Sequence, residues 1–284
     1  MIIREATVED WNELLYFFTK IYRKNHPLQN KEFWEWQYGD PEYGRSFICL
    51  DDNGEVVAHV GASFDNNLAW MMNLYVIKEY EGKRIPAKLY NLAREYFPLV
   101  TTAANKVALD MYQSMNWIRY HNLVRYVKIN PTITKVNIEN VCKKISVNVD
   151  SFINKDIRYF QQPTIKGLLF EDGSKAVCQD YSGGLRILDI VNVKELENKA
   201  WELGYLWMDY TTSWNDSKTR RLEKNGWVLD YNSIVPWRLN PIVENHFCDV
   251  SFLSEEPLSK DLIVNRSHSD HGRVGSIESI NASE

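Results

Sequence analysis

Apolar side chains change their spacing repeatedly along the first half of the chain, and each change predicts a new structural element. Apolar residues 2–3 begin a short strand, and apolar residues then recur at helical spacing over residues 11–18. Thr7, followed by Asp10 three residues later, is typical of a helix N-cap. The pattern therefore predicts a strand that leads into an amphipathic helix.

The next segments predict a sheet with helical connections. Residues 46–64 form two apolar runs joined at Asp52-Asn53-Gly54, and Asn-Gly is favoured in tight hairpin turns. The apolar run at 68–77 predicts a central strand, and the segment after it begins a helix near Pro86. Further along, the pattern predicts a strand at 99–103, a helix at 106–115 and a closing strand at 119–131.

An internal repeat indicates two related lobes. TTAAN at 101–105 recurs as TTSWN at 211–215, an offset of 110 residues that also aligns Trp117 with Trp227. Over residues 101–131 this offset gives seven identities, where unrelated sequences would share about two. The predicted divisions are a first lobe at 1–131, a linker at 132–154, a second lobe at 155–250 and a polar C-terminal tail at 251–284.

Composition narrows the function classes. The chain has 284 residues, 44% of them hydrophobic and 25% charged, with a formal net charge of −5, so a nucleic-acid partner is not expected. No apolar run approaches the roughly 18 residues of a membrane span, and the first residues lack the apolar core of a secretory signal. We therefore expect a cytoplasmic protein. The four cysteines form no CxxC pair, which argues against a zinc site and a disulfide scaffold.

Two stretches carry a more specific pattern: LYVIKEYEGKRIPAKL at 74–89 and TTAANKVALDMYQSMNW at 101–117. They resemble the acyl-CoA loop and the following strand and helix of the GNAT superfamily of N-acetyltransferases. In that family, backbone N–H groups of the loop and the helix start bind the CoA pyrophosphate, as unpaired donors at a helix N-terminus can. The resemblance implies acetyl-CoA or another acyl-CoA as co-substrate, bound by Tyr75, Val76, Gly82, Lys83, Arg84, Ile85, Ala87, Asn105 and Ala108.

The loop departs from the family pattern. The usual Q/R-x-x-G-x-G/A aligns with Glu81, Arg84 and Pro86, so both glycines after the first position are replaced and Pro86 has no N–H to donate. Lys83 and Arg84 add positive charge that suits an anion. The alternative is a solvated polar loop before an ordinary helix.

Catalytic candidates follow from the same resemblance. Tyr112 aligns with the family tyrosine that protonates the departing thiolate, although it could equally pack on the sheet as an amphipathic-helix aromatic. The equivalent position of the second lobe is Leu222, so that lobe is expected to be catalytically silent. His59 and Asp65 are candidates for the base that deprotonates the amine; His59 could instead be a structural histidine.

Residues 30–44 hold an aromatic cluster that resembles a stretch of some GNAT proteins from polysaccharide clusters. Trp34, Trp36 and Tyr38 could stack on a sugar while the carboxylates of Glu32, Glu35 and Asp40 hold its amine or hydroxyls, or they could be core aromatics. Asn73, the polar residue of the central strand, is a further candidate for substrate binding. Around His268, His and Asp residues lack regular metal-ligand spacing, so no metal site is predicted.

The predicted fold class is α/β, with two tandem GNAT-like lobes that each have a mostly antiparallel central sheet flanked by helices. The predicted function is acyl-CoA-dependent transfer of an acetyl or related group to a primary amine of a small molecule, possibly an amino sugar or nucleotide sugar. The alternatives are an aminoacyl or peptidyl transferase of the Fem type, which does not use CoA, and a non-catalytic ligand-binding protein.

Overall fold

The protein divides into two compact units. The computed structural model describes residues 1–22, 24, 26–103, 106–132, 166–169, 175–181, 183–190, 192–230 and 250–268. The first unit comprises Met1–Thr102, Tyr112–Arg119 and Leu253–Leu258, and the second comprises Ala103–Met111, Tyr120–Phe252 and Ser259–Glu284. This division differs from the predicted boundaries at 131 and 250, and the predicted linker lies almost wholly outside the described residues.

The described residues form strands and α-helices with the following bounds. The strands are β1 (Ile2–Glu5), β2 (Gly44–Leu50), β3 (Val56–Asp65), β4 (Leu68–Val76), β5 (Leu99–Ala103), β6 (Ile118–Asn122), β7 (Val124–Ile129), β8 (Lys166–Leu169), β9 (Lys175–Tyr181), β10 (Gly184–Ile190), β11 (Trp207–Thr212), β12 (Val228–Leu229) and β13 (Ser251–Ser254). The helices are α1 (Trp11–Ile21), α2 (Lys31–Trp34), α3 (Ile85–Ala93), α4 (Lys106–Ser114), α5 (Val193–Glu202) and α6 (Lys218–Lys224).

The first sheet is mixed and mostly antiparallel, as the sequence predicts. Its strand order is β1-β2-β3-β4-β5-β13-β6, with antiparallel pairing from β1 to β4 and parallel pairing between β4 and β5. Helix α1 buries Leu14, Phe17 and Phe18, and α3 buries Leu89 and Tyr90 among others. Burial of such apolar faces is the main stabilising contribution to an arrangement of this kind.

Local signals in the sequence are confirmed at several element ends. The backbone N–H of Thr7 donates to Asp10 Oδ2 at 2.8 Å just before α1, which is half of a capping box. Gly54 has φ +85° in the turn between β2 and β3, a left-handed conformation that glycine adopts without cost. The start of the first helix and the turn of the hairpin are therefore set by a few residues that are neighbours in the sequence.

The second unit contains a sheet of order β12-β7-β11-β10-β9-β8. Strands β9 and β10 pair antiparallel, whereas β10 and β11 pair in parallel, with α5 between them in the chain. Its apolar core includes Leu196 of α5 and Leu222 of α6, both fully buried. The order antiparallel pair, helix, parallel strand is the same as in β3, β4, α3 and β5.

Two helices separated by 110 residues end in the same turn. After α4 the N–H of Trp117 donates to the carbonyl of Tyr112 at 3.1 Å, and after α6 the N–H of Trp227 donates to that of Leu222 at 3.1 Å. The residue before each tryptophan is left-handed, Asn116 at φ 61° and Gly226 at φ 78°. This local identity supports the predicted duplication, which remains a prediction.

Two sequence-based expectations need correction. The closing strand expected at 119–131 is two strands, and β7 pairs with β11 of the second sheet. The expected polar tail contributes β13 to the first sheet between β5 and β6 and continues to a 3-10 turn at Arg266–His268, where Arg266 is buried. The reason is that strand pairing over such separations is set by tertiary structure, which local periodicity does not encode.

The described helices include none with the length and apolar character needed to cross a membrane. Cys49 and Cys178 are buried free thiols, whereas Cys142 and Cys248 lie outside the described residues.

Candidate functional site

The first unit has an open strand edge between β4 and β5. Parallel pairing joins Ala69–Met71 to Leu99–Thr101, and the hydroxyl of Thr101 donates to the carbonyl of Met71 at 2.8 Å. Strand β4 continues to Val76, but within the described residues its pairing with β5 ends at Met71. Residues 72–76 therefore form the part of β4 that has no β5 ladder partner among the described residues, a strand edge of the kind that can accept another extended chain.

A β-bulge lies on this same stretch of β4. Pairing with β3 passes from His59 opposite Tyr75 to Gly61 opposite Met72, so Val60 faces two residues of β4. One of these is Asn73, which has a left-handed backbone at φ 56°. Such a conformation costs a residue with a side chain about 1 to 2 kcal/mol, and asparagine tolerates it better than most. Surrounding contacts must therefore hold the bulge.

His59 supplies one of these contacts. Its Nδ1 lies 3.1 Å from the carbonyl oxygen of Asn73, and its Nε2 lies 2.8 Å from Ser46 Oγ. Burial lowers the pKa of His59 to about 4, so the ring is neutral near pH 7. Because a carbonyl only accepts, Nδ1 carries the proton and Nε2 accepts from the Ser46 hydroxyl.

This geometry favours the alternative interpretation of His59 as a structural histidine over that of a catalytic base. The side chain is 0% exposed, and both ring nitrogens are engaged. The other candidate base, Asp65, lies six residues further along β3 at its hairpin end, roughly 20 Å away along an extended strand. The structure does not bring Asp65 to the bulge.

Tyr38 contacts the bulge from another segment. Its hydroxyl donates to Asn73 Oδ1 at 2.7 Å, and its ring lies on the backbone of Gly61, where an added Cβ would overlap it. Tyr38 ends a π-helical turn at Glu35–Gly39 that follows α2, and such turns re-aim side chains. Glycine at position 61 is thus required by the close approach of the phenol ring.

The sugar-stacking role expected for Trp34 and Trp36 is not supported. Their side chains are 1% and 7% exposed, so neither ring offers a face to a ligand. Trp34 packs on Trp11 with ring centroids 5.9 Å apart, and Trp36 packs on Phe33 at 5.4 Å. These are core aromatics, which was the alternative interpretation of this segment.

Tyr75 is the more exposed aromatic residue near the bulge. It is 40% exposed, and its ring lies edge-on to Tyr22, with centroids 6.5 Å apart. Tyr22 in turn stacks on His26, with centroids 3.9 Å apart and planes inclined by 8°. The sequence alone did not indicate Tyr22, His26 or Ser46 as part of this site. They lie far from β4 in the chain, and a single aromatic or polar side chain is a weak signal.

The predicted acyl-CoA loop leads into α3 and contains two residues with left-handed backbone conformations. Gly82 has φ 75° and Arg84, the N-cap of α3, has φ 57°. Arg84 thus adopts a conformation that glycine adopts freely. The ammonium of Lys83 lies 4.3 Å from the centre of the Tyr80 ring, and the Tyr80 hydroxyl donates to Asp51 Oδ2 at 3.0 Å.

The start of α3 offers backbone donors. Ile85 and Ala87 lie in the first turn, where N–H groups have no acceptor within the helix, while Pro86 contributes none. Lys83 and Arg84 are exposed beside them. This combination of donors, helix dipole and cationic side chains suits a phosphate group.

Tyr112 lies in a buried pair of phenols. Its hydroxyl is 2.7 Å from that of Tyr90, and the two rings are nearly parallel at 6°. Burial, and then the neighbouring Tyr112, raise the pKa of Tyr90 well above its usual value of 10, so Tyr90 retains its proton. Of the helix residues predicted to bind CoA, Ala108 lies half-buried on α4, and Asn105 lies outside the described residues.

The second unit contains a buried charged cluster that the sequence interpretation missed. Arg125 donates to Asp209 at 2.8 Å and to Asp230 at 2.8 Å, and Arg266 donates to Asp209 at 2.9 Å. Burial alone would raise the pKa of Asp209, but attraction to Arg266, Arg125 and Arg186 outweighs it and the pKa is lowered. Asp209 therefore remains ionised, and the cluster joins β7, β11 and the Arg266 turn.

No group of three or more His, Cys, Asp or Glu side chains suited to a metal ion occurs among the described residues.

The bulge, the loop before α3 and the Tyr112 pair all fall within one stretch of sequence that a known family shares. Residues 9–117 match the model of the acetyltransferase (GNAT) family. Among curated proteins, none matches the sequence.

One solved structure indicates the fold, and others are similar over part of this chain. The crystal structure of "a putative acetyltransferase" from Pyrococcus horikoshii is similar over 90% of this chain and 89% of that one, with a TM-score of 0.51 and 17% identity. A GNAT acetyltransferase from Staphylococcus aureus Mu50 is similar over 42% of this chain and 85% of that one, with a TM-score of 0.36 and 20% identity. Arabidopsis thaliana NAA60, solved with acetyl-CoA, is similar over 43% and 87%, with a TM-score of 0.36 and 16% identity. The Pyrococcus likeness shows the fold that this chain shares.

Proposed function

We propose that the first unit binds an acyl-CoA and transfers its acetyl or related acyl group to a primary amine. The observation that carries this proposal is the open, bulged edge of β4 at residues 72–76, within the stretch that matches the GNAT family model. An extended pantetheine arm can add to such an edge through amide hydrogen bonds, as peptides add to sheet edges. Its thioester would then lie beside Val76.

The residues before α3 fit the pyrophosphate of CoA. The N–H of the exposed Ala87 has no acceptor within the helix, and the left-handed Gly82 and Arg84 shape the loop in front of it. Ile85, by contrast, is 0% exposed. Pro86 removes one donor, and the positive charges of Lys83 and Arg84 compensate for it. The loop thus supports anion binding despite lacking the usual glycines.

Three contributions of the chain support acyl transfer. The β4 edge orients the thioester against the amine, and proximity of this kind supplies much of an enzyme's rate gain. A backbone N–H near Val76 polarises the carbonyl. Tyr112 protonates the departing thiolate, and the O–H of Tyr90 at 2.7 Å stabilises the phenolate that remains. The phenolate regains its proton from the nitrogen of the attacking amine, which becomes cationic when it adds to the thioester.

We further propose that the acceptor is a small-molecule amine and that the second unit is catalytically silent. In the second unit Leu222 occupies the helix position that corresponds to Tyr112, and it has no proton to donate. An amino sugar or nucleotide sugar is not favoured over other amines, because the Trp34 and Trp36 rings are buried.

Isothermal titration calorimetry with acetyl-CoA tests the proposal. We expect saturable binding by the unaltered protein and binding about three to ten times weaker for Arg84→Gly, which keeps the left-handed backbone but loses one cationic hydrogen-bond donor. Lys20→Gln, at an exposed position of α1, is the matched charge control and should bind as tightly as the unaltered protein. No binding at high micromolar concentrations of protein would refute the proposal and favour a CoA-independent transferase or a non-catalytic protein.

A further inference from the structure

The shape of the open β4 edge depends on one residue in an unfavourable backbone conformation. Asn73 is left-handed at φ 56°, and the bulge it forms sets the direction of the next three residues, up to Val76. Isolated asparagines visit this conformation only part of the time. A site that needs residues 74–76 in one orientation therefore needs Asn73 held from outside.

The hydrogen bond from His59 can hold Asn73 in this conformation. Its geometry suits such a restraint better than transfer of a proton. Nδ1–H donates to the main-chain carbonyl of Asn73, so it restrains the backbone itself, whereas Tyr38 contacts the side-chain oxygen. The imidazole is fixed in turn by Ser46 at 2.8 Å and by the edge-on ring of Phe18, with centroids 5.0 Å apart. A fully buried ring held at both nitrogens can impose one orientation on its partner.

We infer that His59 is a positioning residue of the acyltransfer site, which holds the Asn73 bulge so that the backbone at residues 74–76 faces the thioester. This inference rests on the proposed function. Ser46 belongs to the same chain of contacts, since its hydroxyl fixes the ring through Nε2. Neither residue contacts the reacting atoms in this assignment, and neither exchanges a proton with the substrate.

Three variants separate positioning from a general loss of stability. His59→Leu removes both polar contacts, whereas His59→Asn keeps an N–H donor close to the position of Nδ1 and loses only the contact with Ser46. Val57→Ala is the stability control. It shortens a buried apolar side chain of β3 that forms no hydrogen bond with Asn73. Each protein is assayed for acetyl-CoA binding, for turnover of acetyl-CoA with a panel of primary amines and with water, for the pH dependence of kcat, and for its melting temperature.

We expect His59→Leu to lower kcat about 100-fold, the effect of misplacing a reacting group by about 1 Å. The KM for acetyl-CoA should change less than about threefold, because the pyrophosphate is bound at α3. The kcat of His59→Asn should be at least about tenfold higher than that of His59→Leu. The low-pH limb of its pH profile of kcat should keep the apparent pKa of the unaltered protein. Val57→Ala should lower the melting temperature with little effect on kcat.

Either of two comparisons between the variants would overturn the inference. The first is a kcat of His59→Asn that is no higher than that of His59→Leu. The second is a fall in kcat of Val57→Ala that is as large, for the same fall in melting temperature, as that of His59→Leu. Disappearance of an acid limb in both His59 variants would instead identify a catalytic base. If the unaltered protein does not bind acetyl-CoA, the proposed function fails and this inference fails with it, whereas binding with kcat unchanged in His59→Leu overturns the inference alone.

Discussion

The buried histidine predicts a specific dependence of stability on pH. The unfolded chain binds a proton at His59 with a pKa near 6.5, whereas in the folded protein the pKa is about 4. As the pH falls between these values, the unfolded state takes up the proton first, so the free energy of unfolding decreases. The stability contributed by neutral His59 is present above pH 6.5 and is lost as the pH falls towards 4.

The magnitude follows from the two pKa values. Between pH 7 and pH 4.5, proton uptake by the unfolded state alone lowers the free energy of unfolding by about 2 kcal/mol. The assay is urea unfolding at both pH values, followed by tryptophan fluorescence and far-UV circular dichroism, for the unaltered protein and His59→Asn. Other titrating groups contribute equally to both proteins, so the difference between them isolates His59.

The refuting result is equally specific. If the difference in unfolding free energy between the two proteins stays constant within about 0.5 kcal/mol from pH 7 to pH 4.5, the imidazole is not desolvated as described. A stability advantage of the unaltered protein over His59→Asn that shrinks as the pH rises would also contradict the sign of the argument.

Three further substitutions test other features. Tyr112→Phe is expected to lower kcat at least about tenfold with acetyl-CoA affinity nearly unchanged in calorimetry, because the thiolate loses its acid; an unaltered rate would exclude that role. Gly61→Ala is expected to lower the melting temperature because its Cβ overlaps the Tyr38 ring, and adding Tyr38→Ala should make the two effects less than additive. Asp209→Asn is expected to destabilise the protein by about 3 kcal/mol in urea unfolding, because buried Arg125 and Arg266 lose a shared carboxylate; wild-type stability would contradict this.

Sequence reasoning succeeded where adjacent residues decide the structure. The Asn53-Gly54 turn, the Thr7 cap and the helix that starts around Pro86 depend on backbone preferences of a few neighbouring residues. The mixed sheet with flanking helices followed from these elements and from the apolar runs between them.

The functional geometry was harder to predict because it joins distant segments. Ser46, His59 and Asn73 meet through a strand register that includes a bulge, and no local pattern specifies that register. A signal did exist for the second unit: Arg125 and Asp209 are each a single charge within an apolar strand run, and charges in buried strands need partners.

Strand β13 has a consequence for synthesis of the protein. Its residues fill the position between β5 and β6, yet the ribosome makes them last among the strands of the first sheet. After β6 has emerged, translation must add about 130 more residues, which at roughly 5 to 20 residues per second takes on the order of 10 s. Throughout that interval the edge of β5 can pair with other nascent chains, so chaperones that shield strand edges are expected to raise the yield of native protein.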